Sequence, residues 1–453
     1  MSRVLLISGN RMVDPYPVFP LGMSVVAAAL EARGHQVRPV DLLAGGADDG
    51  LPEREIAAFA PDVVGISIRN LDDVDSLGPG EFAPDLDRDL VARIRRVTGA
   101  PVVLGGAGFS LMPEEVLAHV GADHGVVGEG ERAFPDLVDT LARGGVAPRL
   151  VRGDRPVTGE EIPAPCADPG LVPFYLAESG MMNVQTKRGC PHRCAYCTYP
   201  NLEGDIFRFR DPERVADEIV ELRRRHGVER VFFADAVFND PCGHYLRVAE
   251  ALVRRRVGIR WAAFFRPQGL TREVLALLRE SGLYAMELGT DAASDAALDG
   301  LDKGFTMAEA LEVDRAAREE GIPAAHFIMF GGPGETMAGV REGLANLERC
   351  SASIVFAYLG IRIIPGTPLH LRALKEGAIA ADTPLMRPRY YFAPGLDRAE
   401  VDRAIAGAFA GNRLRIYPPV DGKMRARTMY QFGFRGLLWD LLAKPGSTRR
   451  ARR

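Results

Sequence analysis

The chain has 453 residues, 47% of them hydrophobic and 26% charged, with a formal net charge of −4 and a pI near 6.1. That balance supplies apolar material for roughly three domains, and no global basic excess points to a nucleic-acid partner. No run of about 18 apolar residues is present and the first apolar segment is too short for a signal-peptide core, so the expectation is a cytoplasmic protein with no transmembrane segment.

Residues 1–145 alternate short apolar runs with amphipathic stretches. Strands are predicted at 4–8, 37–41, 63–67, 102–105 and 124–127, and helices at 22–32, 51–59, 87–98, 113–120 and 134–143. This alternation predicts a five-stranded, flavodoxin-like doubly wound α/β domain. Residues 146–182 are rich in Pro and Gly and read as a linker. A second alternating series follows, with strands at 183–186, 231–234, 259–264, 285–288, 325–330 and 354–364. Helices are predicted between them at 212–225, 245–255, 272–280, 307–320 and 337–349. Six repeats are too few for an eight-fold barrel and predict a partial (β/α)6 barrel over 183–375. Residues 376–453 read as a small mixed region, with a helix at 399–410, an apolar segment at 434–442 and a solvated basic tail at 449–453. Arg387, Tyr390 and Tyr391 are polar candidates there for a substrate cover, and ordinary packing explains them equally well.

Three of the six cysteines fall within eight positions, in Cys190-Pro-His-Arg-Cys194-Ala-Tyr-Cys197. A disulfide scaffold would spread its cysteines along a smaller secreted chain. The loop follows a strand, Gly189 lets it turn sharply, and three thiolates there can each bind one iron of a cubane cluster. Zinc usually takes four ligands, and His192, inside the loop, is poorly placed to be the fourth. Cys166, Cys242 and Cys350 stand alone and read as buried small hydrophobes. Ile206, Phe207 and Phe209, after the loop, read as core packing, with sealing of the site as the lesser alternative.

The Cys-x3-Cys-x2-Cys loop in its six-repeat context resembles the radical S-adenosylmethionine (SAM) superfamily. The resemblance implies a 4Fe-4S cluster on Cys190, Cys194 and Cys197. Its open iron would bind SAM, whose reductive cleavage gives a 5′-deoxyadenosyl radical. It also implies SAM-binding roles for Tyr196, for Asp235 at the end of Phe232-Phe-Ala-Asp235, and for Glu287 and Thr290 in Glu287-Leu-Gly-Thr-Asp291. His326, Gly331 and Gly332 in His326-Phe-Ile-Met-Phe-Gly-Gly-Pro-Gly-Glu335 would approach the adenosine. Asp235 departs from the Gly-Gly-Glu often found at its position.

The N-terminal domain resembles the cobalamin-binding module of such chains. Its matching loops are Pro20-Leu21-Gly22, Ser67-Ile-Arg69-Asn70, Gly105-Gly106-Ala-Gly108 and Gly128-Glu129. The Asp-x-His-x-x-Gly motif that often supplies a cobalt ligand is missing, which implies a lower cobalamin face left open or taken by another group. The stretches 67–70, 185–190, 197–200 and 331–336 together resemble a cobalamin-binding radical SAM subgroup associated with lipid biosynthesis. The function implied is cobalamin-dependent C-methylation of a lipid or natural-product intermediate. A flavodoxin or ferredoxin would serve as electron donor. Radical rearrangement or cyclisation is the alternative, and a non-catalytic cobalamin or cluster sensor a lesser one.

Overall fold

The computed structural model describes residues 1–14, 16–78 and 82–443; the basic tail lies outside the described residues. The first sheet holds β1 (Arg3–Ser8), β2 (Gln36–Asp41), β3 (Val63–Ser67), β4 (Val102–Gly105), β5 (His124–Val127) and β6 (Leu150–Arg152). All pairs are parallel, in the order β2-β1-β3-β4-β5-β6. The runs Val4-Leu-Leu-Ile7 and Val63-Val-Gly-Ile66 are buried, as strands covered by helices on both faces require. The order β2-β1-β3 reverses direction around β1, which opens a crevice at the carboxyl ends of these strands.

Two features correct the sequence reading here. The sheet has six strands rather than five, because Leu150–Arg152 in the expected linker pairs with β5. Three residues are too few to show a period. The linker also holds a helix, Val172–Glu178, whose Tyr175 hydroxyl donates 2.7 Å to Asp41 Oδ2 in the first sheet. In addition, the helix expected at 87–98 begins four residues earlier, at Ala83, where Pro84 occupies its first turn.

The second half begins with β7 (Met182–Val184), then β8 (Lys187–Arg188) paired antiparallel with β9 (Arg208–Phe209). It continues with β10 (Arg230–Phe233), β11 (Arg260–Phe265), β12 (Leu283–Asp291), β13 (Ala324–Phe330) and β14 (Ile354–Leu359). β15 (Ile361–Arg362) pairs antiparallel with β16 (Tyr390–Tyr391), and β17 (Arg415–Ile416) comes last. The main sheet is parallel and open, in the order β17-β14-β13-β12-β11-β10-β7. It has seven strands rather than six, since β17 from the C-terminal region pairs with β14. The single strand expected over 354–364 breaks at Gly360, whose φ of +80° turns the chain away. The expected helices 212–225, 272–280, 307–320 and 337–349 form with side-chain caps from Asp211, Thr271, Thr306 and Thr336.

One face of the main sheet (Val231, Phe233, Trp261, Ala263, Phe265) packs on the helices. The other face (Phe232, Ala262, Ala285, Ala325, Ile354) turns inward. Phe19, Met23 and Val172 share an apolar core with Val184 and Phe233, so the two halves pack together.

Candidate active site

A cavity of about 640 Å³ lies between the two sheets. From the first half it is lined by the loops after β1, β3, β4 and β5. Every cavity residue expected from sequence faces it: Pro20, Leu21 and Gly22; Ser67, Arg69 and Asn70; Gly105, Gly106 and Gly108; Gly128 and Glu129. The glycines have different reasons to be there. A Cβ on Gly106 would lie 2.5 Å from the Ile68 carbonyl oxygen, and one on Gly108 would lie 2.9 Å from the Asn70 carbonyl carbon. These two let the loops after β3 and β4 touch, backbone to backbone. A Cβ on Gly22 would meet nothing within 4 Å and would point into open cavity.

Arg69 faces the cavity without a hydrogen bond or ion pair among the described residues, and its enclosure lowers its pKa. No histidine lines the cavity among the described residues. An enclosed crevice with one free cation and a glycine floor fits a large flat ligand bearing an anionic tail, as cobalamin is. Glu129 is at the cavity wall but is committed elsewhere. Its carboxylate accepts from Arg188 and Arg208, and from the Val157 amide at 2.9 Å, so it ties the halves together.

The opposite wall carries Thr198, Tyr199, Leu202 and Glu203, which follow Cys197 directly. The cysteine loop therefore abuts the cavity. Gly189 is required: its φ is +83°, and a Cβ there would lie 2.1 Å from the Ile206 carbonyl oxygen. The Cys190 amide donates 3.0 Å to the Gly204 carbonyl, and the Gly189 amide 3.1 Å to Glu203 Oε2. Burial, reinforced by the neighbouring cysteines, pushes the Cys197 thiol up to about 12 and raises Cys190 as well. Thiols so placed ionise when a metal binds them.

Among the described residues, one group of three potential ligand atoms lies within 4.8 Å of one another, and it is Asp314, His326 and Cys350. The three loop thiols stand further apart, as a polynuclear cluster needs and a single ion does not. Lys303 and Arg266 act electrostatically on Cys190, and Lys303 also on Cys197. Burial, then these same two cations, pushes His192 down to about 4. The donor set and its cationic surroundings fit an anionic iron–sulfur cluster.

The remaining expected site residues divide. Tyr196 stays by the loop: its hydroxyl donates 2.5 Å to Asp291 Oδ2, which also pairs with Lys303. Asp235 is fully buried and saturated. It accepts from the Thr186 amide at 2.7 Å, the Thr186 hydroxyl at 2.5 Å and the Lys187 amide at 3.2 Å, with Lys187 Nζ at 3.3 Å. It braces the strand leading into the cysteine loop instead of facing a ligand. Thr290 and His326 point away from the interior. Thr290 Oγ1 lies 2.8 Å from His326 Nδ1, and His326 Nε2 lies 3.0 Å from Asp314 Oδ1.

Gly331 and Gly332 form a turn whose amides donate to Glu335 Oε2 at 2.5 and 3.2 Å. A Cβ on Gly331 would strike the Phe392 ring, so the turn also packs tightly on that side. Glu287 lies four residues before the end of β12, inside the sheet's concave face, and accepts 3.0 Å from Trp439 Nε1. Of the lone cysteines, Cys350 is buried, Cys166 half-buried and Cys242 exposed, so burial explains only the first. Ile206, expected as packing, is 71% exposed. Arg387 pairs with Asp85, and the Tyr391 hydroxyl donates to Glu376, so neither covers a substrate here.

A model of the Radical SAM superfamily matches residues 184–345, and one of the B12 binding domain matches residues 9–138. Tryptophan 2-C-methyltransferase of Streptomyces laurentii is 27% identical, covering 80% of this chain and 73% of that one. Hopanoid C-3 methylase of Methylococcus capsulatus is 28% identical, covering 68% and 60%. The radical SAM methyltransferase TsrM of Kitasatospora setae, solved with cobalamin and a [4Fe-4S] cluster, superposes with a TM-score of 0.82 over 98% of both chains at 24% identity. That likeness is one of fold. No helix among the described residues is long and apolar enough to cross a membrane.

Proposed function

The chain belongs to the cobalamin-binding radical SAM family, and from that membership we propose that it transfers a methyl group to carbon in a lipid or natural-product intermediate. The observation that carries this reading is the shared wall. Residues 198–203, immediately after the third cysteine, form one side of the cavity whose other side is the glycine loops of the B12-binding half. Two cofactor sites that share a wall are what a reaction using both in one turnover needs.

Cys190, Cys194 and Cys197 would hold the cluster, and Gly22, Arg69, Asn70 and Gly128 would contact the cobalamin. Bound, the cluster supplies an electron for cleaving SAM and the cobalamin carries a methyl group. The protein orients and shields. Arg188 and Arg208 clamp the halves through Glu129, Asp235 fixes the strand before the loop, and Lys303 with Arg266 places positive charge beside the thiols. The relatives' names, both of carbon methylases, support the transfer of a methyl group. A flavodoxin- or ferredoxin-type protein would deliver the electron.

The test is anaerobic reconstitution with iron, sulfide and hydroxocobalamin, followed by reduction in the presence of SAM. The expected result is stoichiometric cobalt beside the cluster, with SAM converted to S-adenosylhomocysteine as cobalamin is methylated. A loaded cluster without bound cobalt would overturn methyl transfer and leave the radical SAM domain assignment standing.

A further inference from the structure

A methyl acceptor has to lie beside both cofactor sites, and the floor of the cavity between the halves offers it a seat. We infer that Asn183, with the rings of Phe232 and Phe264, recognises the substrate, and that the substrate is a flat apolar body whose edge carries a neutral donor–acceptor pair, as a lactam does. This rests on the methyl-transfer reading above. In the sheet register Asn183 of β7 stands beside Phe232 of β10, and Phe232 beside Ala262 of β11. Gln185, Ala234 and Phe264 follow on the same face, since side chains alternate along a strand. Asn183, Gln185, Phe232, Ala234 and Phe264 all line the cavity, so the space at this floor is part of the cavity itself.

Further across the face, Ala285, Ala325 and Ile354 are packed with Met181, Leu437 and Trp439, which leaves β7, β10 and β11 to form the floor. Phe264 is 37% exposed although β11 is paired on both sides. Its ring meets that of Phe232 edge-on, with centroids 5.0 Å apart. Two rings at that angle make an apolar corner for a planar body. Thr198 and Tyr199 line the same cavity, so a molecule on this floor has the cysteine loop beside it and the glycine loops of the B12-binding half across from it.

Three side-chain amides are buried among the described residues: Asn183, Gln185 and Asn239. Gln185 is held by Glu203 and Arg188, and Asn239 by the backbone of Arg266 and Gln268. Asn183 is 6% exposed and has no hydrogen-bond partner, yet its amide is not sealed in packed protein and opens onto the cavity. A ligand that displaces water from the floor leaves this amide unsatisfied unless it brings its own donor and acceptor. An asparagine side chain presents a carbonyl and an NH2 side by side, the complement of a lactam edge. No charged side chain belongs to the floor, so the group it completes is neutral.

The test uses 2-quinolinone, a planar lactam, and 1-methyl-2-quinolinone, in which the donor is blocked. Their binding to the protein reconstituted with iron, sulfide and hydroxocobalamin is measured by calorimetry for the wild type, Asn183→Leu and Phe264→Leu. Leucine matches asparagine in size and suits a buried strand, so the fold is preserved, and iron and cobalt are assayed in the same samples. Expected is at least a tenfold preference of the wild type for the lactam, falling below threefold in Asn183→Leu with iron and cobalt unchanged. Phe264→Leu should bind both probes more weakly and keep the preference. Equal binding of the two probes to the wild type, an undiminished preference in Asn183→Leu, unchanged binding in Phe264→Leu, or binding of neither probe overturns the inference. Loss of cobalt from Asn183→Leu alone would place the corrin on this floor and overturn it as well. Cobalt failing to load in the wild type overturns the methyl-transfer reading instead, and the lactam preference still reports on Asn183.

Discussion

Arg188 Nη1 lies 2.9 Å from Glu129 Oε1, and its Nη2 lies 2.5 Å from Glu131 Oε1. The side chain two residues before the first cysteine of the loop is thus bound to the loop after β5 of the other half. All three groups are largely buried, and Arg188 is held well above the usual guanidinium range, its two carboxylate partners outweighing desolvation. The geometry of the cysteine loop is therefore coupled to the seating of the B12-binding half.

Removing that cation should loosen both. Arg188→Met leaves Glu131 without its partner and Glu129 with Arg208 alone, a loss of about 3 kcal/mol for a broken buried pair. A lowered unfolding midpoint together with weaker retention of cluster iron on desalting is expected. Full iron retention at wild-type stability would show that the two halves are not coupled through this residue.

The cysteines make a sharper pair of variants. Cys194→Ala removes one of the three loop thiols and should abolish stable iron and sulfide loading. Cys350→Ala should load normally, because Cys350 belongs to the buried Asp314–His326 group on the far side of β13 and β14. Iron and labile sulfide assays on the two proteins, side by side, separate a cluster ligand from a structural thiol.

The cofactor cavity can be filled without straining the backbone. Gly22 sits in the first turn of its helix, and a side chain added there would meet only open cavity. Gly22→Leu should fold at least as well as the wild type, since leucine favours a helix over glycine by roughly 0.8 kcal/mol. It should nevertheless lose hydroxocobalamin binding by tenfold or more while keeping its iron. Unchanged cobalt uptake would place the cobalamin elsewhere.

These variants draw on both what the sequence displayed and what it concealed. The cysteine loop and the glycine loops were legible because each is a local run in the chain, placed after a strand, where parallel sheets gather their ligands. Asp235, Thr290 and His326 were misjudged because facing depends on a register the sequence does not display. The Ala325 position turns inward, so His326 turns outward, and Glu287 pairs with Ala325 on the inward face, so Thr290, three positions on, turns outward as well. Arg266 and Lys303 belong to no motif. Only the position of Arg266, the first residue beyond β11, could have marked it. Trp439 reaches Glu287 across 152 positions, and no local pattern carries a contact of that span.

Glu287 also sets a pH dependence of stability. Desolvation, partly offset by the Trp439 hydrogen bond, raises its pKa from 4.5 to about 7. A carboxyl whose folded pKa is raised binds its proton more tightly in the folded state. It therefore imposes no penalty below about pH 4.5, a growing one between 4.5 and 7, and a constant one above. The full penalty is about 3 kcal/mol at 1.36 kcal/mol per unit. Glu287→Gln, which cannot ionise, should be more stable than the wild type at pH 8 and nearly equal to it at pH 5. Thermal unfolding of both proteins at the two pH values, without substrate, measures the difference directly. A gap that does not widen with pH would mean that the carboxylate is solvated in the folded protein.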